Sequence, residues 1–338
     1  MTTYKGINGF AVQSVASDPS PLDEGQVWYN NATYAFKLAA ATTVGTWASG
    51  GNLGSGRYGL GGAGTQTAGL MIGGYVAGPT ARVNSVEEYD GTSWSGGGNY
   101  PTAIWLVGSC GTQTAALAVG GNIPPGALTN VVNEYDGSTW TAGGTYPTSI
   151  DRISAIGIQT VALAIGGRTS PPNVSQSACN EYDGTTWTAG GSLGTSRYNT
   201  GAAGTQTAGL VFGGVSNPPT VFRNQTEEYD GTSWTSGGNM GTTRYALVGW
   251  GTQTAAIGTT GSPDGSVATP APTATELYDG TSWTTSAAAP IAVRLAGGSQ
   301  NGTQASGLVA GGLPPGSNTA TIEWTGPGSP VTKTITTS

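Results

Sequence analysis

The chain has 338 residues, 59 of them glycine, with only 9% charged side chains, no histidine and a net charge of -7. The acidic balance excludes a nucleic-acid scaffold, which needs a basic face to replace counterions; the lack of histidine excludes a Ser-His-Asp triad and the commonest metal ligand. Cys110 and Cys179 are the only thiols and show no CxxC or Cys/His spacing, so zinc is not expected and both read as packed free thiols.

Residues 1–40 form the first segment. Its start, MTTYKGINGF, has no long apolar run, and no stretch of the chain approaches the ~20 apolar residues that cross a bilayer. Synthesis in a cytoplasm without classical export or membrane insertion is therefore expected. Gly25 to Lys37 holds two alternating runs about Asn30-Asn31 and predicts a β-hairpin. Its aromatic residues Trp28, Tyr29, Tyr34 and Phe36 are candidates for anchoring the chain to a partner. The pattern GQVWYN followed by TYAFK resembles a short module near the starts of structural proteins of tailed bacteriophages. That resemblance implies a virion component.

From Trp47 the chain is periodic. Trp47, Trp94, Trp140, Trp187, Trp234 and Trp283 are spaced by 47, 46, 47, 47 and 49 residues. A Gly-x-Gln turn follows each of the first five after 17 residues, at Gly64, Gly111, Gly157, Gly204 and Gly251, and follows Trp283 after 19, at Gly302. Next comes a short apolar run ending in a glycine pair, at Gly73-Gly74, Gly120-Gly121, Gly166-Gly167, Gly213-Gly214 and Gly311-Gly312, with Thr260-Gly261 as the weak copy. Each unit thus has four short apolar segments separated by turn signals, which predicts a four-stranded antiparallel sheet. The glycine pairs suit a place where backbones crowd near an axis.

The segments E-Y-D-G-T-S-W and its variants carry Asp90, Asp136, Asp183, Asp230 and Asp279. Asp-Gly predicts a two-residue hairpin of type I′, which needs positive φ at both central positions. Equivalent turns on different sheets lie far apart, so these carboxylates are expected to be structural. The Asp-box of sialidases spaces Asp and Gly differently and is itself a turn motif away from catalysis.

The order basic residue, apolar strand, Gly-Gly, Tyr-Asp, Trp resembles the kelch family and is plainest at Arg197, Gly213-Gly214, Tyr229-Asp230 and Trp234. The resemblance covers about residues 43 to 325 and implies a β-propeller with four-stranded antiparallel blades. Five units are complete; the sixth stops at Ile322-Glu323-Trp324, and the leading strand at Trp47 supplies its missing fourth strand. The expected fold is all-β: an N-terminal segment over 1–40, a six-bladed propeller over 41–325 closed by the N-terminal strand, and a C-terminal tail over 326–338. That tail, rich in Thr, Gly and Pro, is also similar to tails of phage structural proteins, especially those of marine and cyanobacterial phages.

Function is sought where the copies differ. Loops such as IPPGALTN, SPPNVSQS, SNPPTVFRNQ, SPDGSVATPAPTAT and LPPGSN fall by strand parity on one face, and the uniform turns on the other. Arg57, Arg197 and Arg244 share one repeat position; Arg294 lies near it, and Arg152 stands two residues after Ile150, which replaces the arginine. Kelch resemblance places that position around the channel mouth on the variable face. Guanidinium groups there suit carboxylate or sulfate groups of a glycan, or acidic side chains; alternatively they bond neighbouring carbonyls between blades.

The leading expectation is a non-enzymatic virion component, on a tail, fibre or capsid, multimeric in the assembly. It would contact other virion proteins through residues 1–40 and 326–338 and present its loop face to a host-surface glycan or a neighbouring subunit. Alternatives are a kelch-type protein-interaction module and a sialidase-like enzyme on glycans. A copper oxidase of the galactose oxidase kind is excluded by the lack of histidine, and no cofactor or metal is expected.

Overall fold

The computed structural model describes residues 12–19, 26–41, 44–78, 80–264, 273–313, 318–328 and 330–335. Among them every regular element is a strand, and no helix is long and apolar enough to cross a membrane. Residues 265–272 and 314–317, within two of the variable loops, lie outside the described residues. The chain divides into two compact units, Met1–Thr46 with Thr325–Ser338, and Trp47–Trp324.

In the smaller unit the hairpin forms between Val27–Asn30 and Ala35–Ala41, with Tyr29 opposite Phe36 and their rings 5.1 Å apart. The Asn30 side chain accepts the amides of Ala32 and Thr33 (3.1 and 3.0 Å), which fixes the turn. Within the predicted C-terminal segment, Pro330–Ile335 pairs antiparallel with Ala35–Ala41. Gln13–Val15 completes this sheet in parallel with Val27–Asn30. Trp28 is buried and donates its indole N–H to Asp18 (3.0 Å), which also accepts from Asn30 (2.7 Å).

The larger unit contains, among the described residues, six four-stranded antiparallel sheets in chain order. The first is Gly61–Gly64, Gly69–Ile72, Val86–Tyr89 and Trp94–Gly96; the next four repeat this order at the predicted period. The sixth joins Gly297–Gly298, Ser306–Ala310 and Thr321–Thr325 to the leading strand Thr46–Ser49. Trp324 takes the tyrosine place, with its ring 5.0 Å from that of Trp47.

The Tyr-Asp-Gly hairpin differs from a two-residue type I′ turn. Tyr89 pairs with Trp94, leaving a four-residue loop in which Gly91 alone has positive φ. Asp90 accepts the amides of Thr92 and Ser93 (2.8 and 2.7 Å), and the other copies repeat this. The carboxylate supplies what backbone twist supplies in the shorter turn. These amides hold each aspartate below the usual carboxylate range.

Neighbouring sheets are joined by four devices. Hydrophobic clusters lie between them: Leu117, Val119, Ala155 and Ala164 join the second sheet to the third, and Met71, Leu308 and Ala310 join the sixth to the first. The glutamine of each Gly-x-Gln turn donates to carbonyls of the preceding sheet, as Gln113 does to Gly69 and Tyr89 (2.9 and 2.8 Å). The tyrosine hydroxyl donates to a glutamate of the preceding sheet, from Tyr135 to Glu88 (2.6 Å) and Tyr182 to Glu134 (2.7 Å), while each tryptophan indole donates backward as well, from Trp140 to the carbonyl of Gly98 (2.9 Å).

Inside these lies a closed circuit of backbone hydrogen bonds. Leu106 donates to Gly59, Arg152 to Leu106, Asn199 to Arg152, Ala246 to Asn199, Leu295 to Ala246 and Gly59 to Leu295, at 2.6 to 3.2 Å. All six residues have φ between +52° and +63°. The glycine pairs pack against the following repeat: a Cβ on Gly166 would lie 2.4 Å from the carbonyl oxygen of Arg197, and its φ is +59°.

Gly166→Ala is expected to cost about 2 kcal/mol or more through strain and overlap. Gly96→Ala, where a Cβ meets nothing within 4 Å, should stay within about 0.5 kcal/mol; urea unfolding checks both. Burial first, and the bond to glutamate second, push the phenols of Tyr89, Tyr135, Tyr182 and Tyr229 up to about 12 from an ordinary 10.0. A raised folded-state value means that this stabilisation is complete below pH 10.0 and is lost as pH rises toward 12. Circular dichroism and tyrosinate absorbance should therefore change together in that window.

Candidate functional site

The uniform face is occupied by its own bonds. Its aspartates cap their loops, its glutamines bridge sheets, and the five tyrosine–tryptophan pairs stack at 4.7 to 5.0 Å. Among the described residues no group of His, Cys, Asp and Glu is placed to hold a metal ion. Cys110 and Cys179 are buried free thiols, each pushed up to about 12 by burial.

The shared arginine position points inward, not to the mouth. Arg57, Arg197 and Arg244 are buried; Arg57 pairs with Glu87 (2.8 Å), Arg197 with Glu227 and Arg244 with Glu276 (2.7 Å). Arg197 also donates to the carbonyl of Gln225 (2.9 Å), and Arg244 to those of Thr260 and Ala274 (3.1 and 2.6 Å). The glutamates in turn accept loop amides: Gly54 for Glu87, Gly194 for Glu227 and Gly241 for Glu276 (2.7, 2.7 and 2.6 Å). These arginines are internal ties.

The chain carries an internal signal for this role. Where Ile104 and Ile150 replace the arginine, Asn133 and Asn180 replace the glutamate and bond the hydroxyls of Tyr100 and Tyr146 (2.7 and 2.8 Å). In the sixth repeat Val293 and Ile322 fill both places. Charge appears only as a pair, because one member buried alone is costly.

Residues one step further along the chain face the mouth. Tyr58, Trp105, Asp151, Tyr198, Tyr245 and Arg294 occupy this position, and each forms an isolated β-bridge to the strand or loop after its glycine pair. Arg294 therefore belongs to the mouth position and not to that of Arg57. Four of the six are aromatic and half-buried. In the first repeats Tyr58, Tyr75 and Trp105 cluster with ring centroids 5.1 to 5.9 Å apart, and the Arg82 guanidinium lies 5.7 Å from the Trp105 ring. Phe222 and Tyr245 form a second pair at 5.1 Å.

The variable loops build this rim. Short two-stranded ribbons, such as Tyr75–Ala77 with Thr80–Arg82 and Val215–Ser216 with Val221–Phe222, rise from four of the sheets. They bring Arg82, Arg168 and Phe222 to the mouth, a placement the loop sequences alone do not signal.

Beneath the mouth is an axial cavity of about 110 Å³ lined by the starts of all six first strands. Arg152 lines it, two residues after Ile150, together with Asn199, Thr200, Ser154 and Gln300. At the far end Asn301 spans the axis: its backbone N–H donates to Gly64 (2.9 Å), and its side-chain amide lies 3.3 Å from the carbonyls of both Gly111 and Gly157. The two extra residues between Trp283 and the last Gly-x-Gln turn supply this crossing.

Of the anchoring candidates, Trp28 is buried and Tyr29 packs against Phe36 with the rings tilted at 56°, whereas Tyr34 is 82% exposed at the hairpin tip. No protein-family model matches the chain, and no curated protein is significantly similar to it.

Arg197→Ala is expected to destabilise the fold by roughly 3–5 kcal/mol, because Glu227 would remain buried without its partner. The joint change Arg197→Ile with Glu227→Asn, which copies the residues of the second and third repeats, should recover much of that loss. Chemical unfolding of both variants checks the pair.

Proposed function

We propose that this protein is a non-enzymatic structural component of a tailed-phage virion: a six-bladed, kelch-like β-propeller that presents its loop face to a host-surface glycan or a neighbouring subunit. The propeller assignment is supported by the sheets' order, by the cyclic circuit from Gly59 to Leu295, and by the leading strand Thr46–Ser49 completing the last sheet. Closure of this kind leaves no lateral edge strand to recruit other chains.

The observation that carries the functional reading is the contrast between the two faces. On one, the recurring polar side chains are consumed by bonds within the ring. On the other, ribbons of differing sequence hold half-buried aromatic rings and guanidinium groups around a cavity. That arrangement suits binding. It offers little for acid–base chemistry: Asp151 is buried, with both oxygens held by Arg168 (2.9 and 2.7 Å).

The flanks serve attachment in this reading. Residues 1–40 carry the phage-like module, and its hairpin pairs with the strand Pro330–Ile335 in a unit separate from Trp47–Trp324. Tyr34 at the exposed tip is the contact residue, while Trp28 holds the hairpin together.

Mass spectrometry of purified virions is expected to find the protein, and deletion of residues 1–40 to remove it while the remaining chain keeps its β-sheet spectrum. Absence from virions would overturn the structural role. Undiminished incorporation of the truncated chain would overturn the anchoring role.

A further inference from the structure

The mouth is not evenly endowed around its circumference. On the side of the third to fifth repeats, Arg152, Arg168, Asp151, Tyr198 and Tyr245 come together. Arg168 spans both oxygens of Asp151, so its charge is answered. Arg152 is 3.8 Å from the same carboxylate, which is already engaged. Its Nε is buried without any hydrogen-bond partner, and its side chain is 19% exposed.

Arg57, Arg197 and Arg244 have the same bare Nε, but each closes an ion pair with its own glutamate, whereas Arg152 stays 3.8 Å from a carboxylate that Arg168 already holds. Buried donors are normally satisfied, and an unmet one is costly because water has been removed without replacement. Arg57, Arg197 and Arg244 each have a glutamate; Arg152 has donor capacity to spare, and it lines the axial cavity. Its guanidinium lies 5.7 Å from the centre of the Tyr198 ring, with Arg168 5.9 Å from that ring. The two cations hold the ring, which precedes the cavity-lining Asn199 in the chain.

Backbone geometry holds Arg152 there. It belongs to the closed hydrogen-bond circuit, accepting from Asn199 (3.2 Å) and donating to Leu106 (2.9 Å), with φ at +55°. The other circuit positions carry Gly59, Leu106, Asn199, Ala246 and Leu295, so a cation here is a property of one repeat and not of the ring.

We propose that this sector of the mouth, centred on Arg152 and Tyr198, is a binding site for the carboxylate of an acidic sugar. The planar carboxylate matches the fork of guanidinium donors. The apolar faces of the sugar ring would lie against Tyr198 and the Phe222–Tyr245 pair, and its hydroxyls meet the polar cavity wall at Asn199 and Thr200. The proposal rests on the loop-face binding reading above and gives it a ligand class.

Calorimetry with a glucuronate-terminated oligosaccharide tests it. Probes for comparison are the carboxyl-reduced form of the same oligosaccharide, a sulfated neutral oligosaccharide and an acidic peptide. The acidic sugar should bind at least about tenfold more tightly than the reduced form, in keeping with a charge-assisted bond. Arg152→Gly, which places at this position the residue that Gly59 provides in the first repeat, should abolish that preference while the circular dichroism spectrum stays unchanged. Arg152→Lys, which keeps charge without the fork, should weaken acidic-sugar binding several-fold, and it serves as the folded comparison if Arg152→Gly loses structure.

Equal affinity for the acidic and reduced sugars, indifference to both Arg152 substitutions, or tighter binding of the sulfated sugar or the peptide would each overturn the proposal. So would a lack of binding to every probe. Binding of the reduced sugar alone would overturn it while leaving loop-face glycan binding in place, and the presence of the protein in virions is decided separately by mass spectrometry.

Discussion

The closed circuit of backbone hydrogen bonds through Gly59, Leu106, Arg152, Asn199, Ala246 and Leu295 is the constraint on which the rest of the large unit depends. Each bond joins one repeat to the next, so no member can leave without opening the circuit at two places. The geometry requires a left-handed backbone at all six positions, five of which are not glycine. Such a conformation costs free energy at each side-chain-bearing site. It persists because the surrounding sheets over-determine it.

That reversal of the chain also sorts side chains. The residue two before each circuit position turns into the protein, where Arg57, Arg197 and Arg244 find their glutamates and Ile104 and Ile150 find apolar packing. The residue one before turns to the mouth. A shift of one position thus separates a buried tie from a residue at the mouth. The Tyr–Glu, Gln–carbonyl and Trp–carbonyl bonds then repeat the same neighbour-to-neighbour logic further from the axis. Stability of this kind is a sum of interfaces, as in other repeat architectures, but with both ends joined.

Much of this is legible in the sequence. The tryptophan period, the glycine pairs and the truncated last unit are enough to place the sheets and to assign Thr46–Ser49 to the sixth. The turn type is not, because Asp90 and its equivalents satisfy two loop amides with a side chain, and a dipeptide signal does not distinguish that from a backbone-driven turn. Nor is the inward aim of Arg57, Arg197 and Arg244, because family order fixes position along a strand and not the direction of a side chain. The replacement of Arg by Ile together with Glu by Asn, readable by aligning the repeats with one another, carries that missing direction. Arg168 and Phe222 lie beyond sequence reasoning, since ribbons of two or three residues leave no periodicity to detect.

Departures from the repeat give the larger unit its chemical asymmetry. A perfectly sixfold ring would have an open axis and a uniform rim. Two extra residues in the last unit send Asn301 across the far end, where it reaches the first three repeats. One repeat places Arg152 in the circuit and Asp151 at the rim, and a ribbon supplies Arg168 to answer the carboxylate. The result has a floor, a cationic side and aromatic sides, which an even ring cannot have. Symmetry builds the frame from one kind of interface, and a handful of substitutions that leave every interface intact convert its axis into a chemically directional cavity.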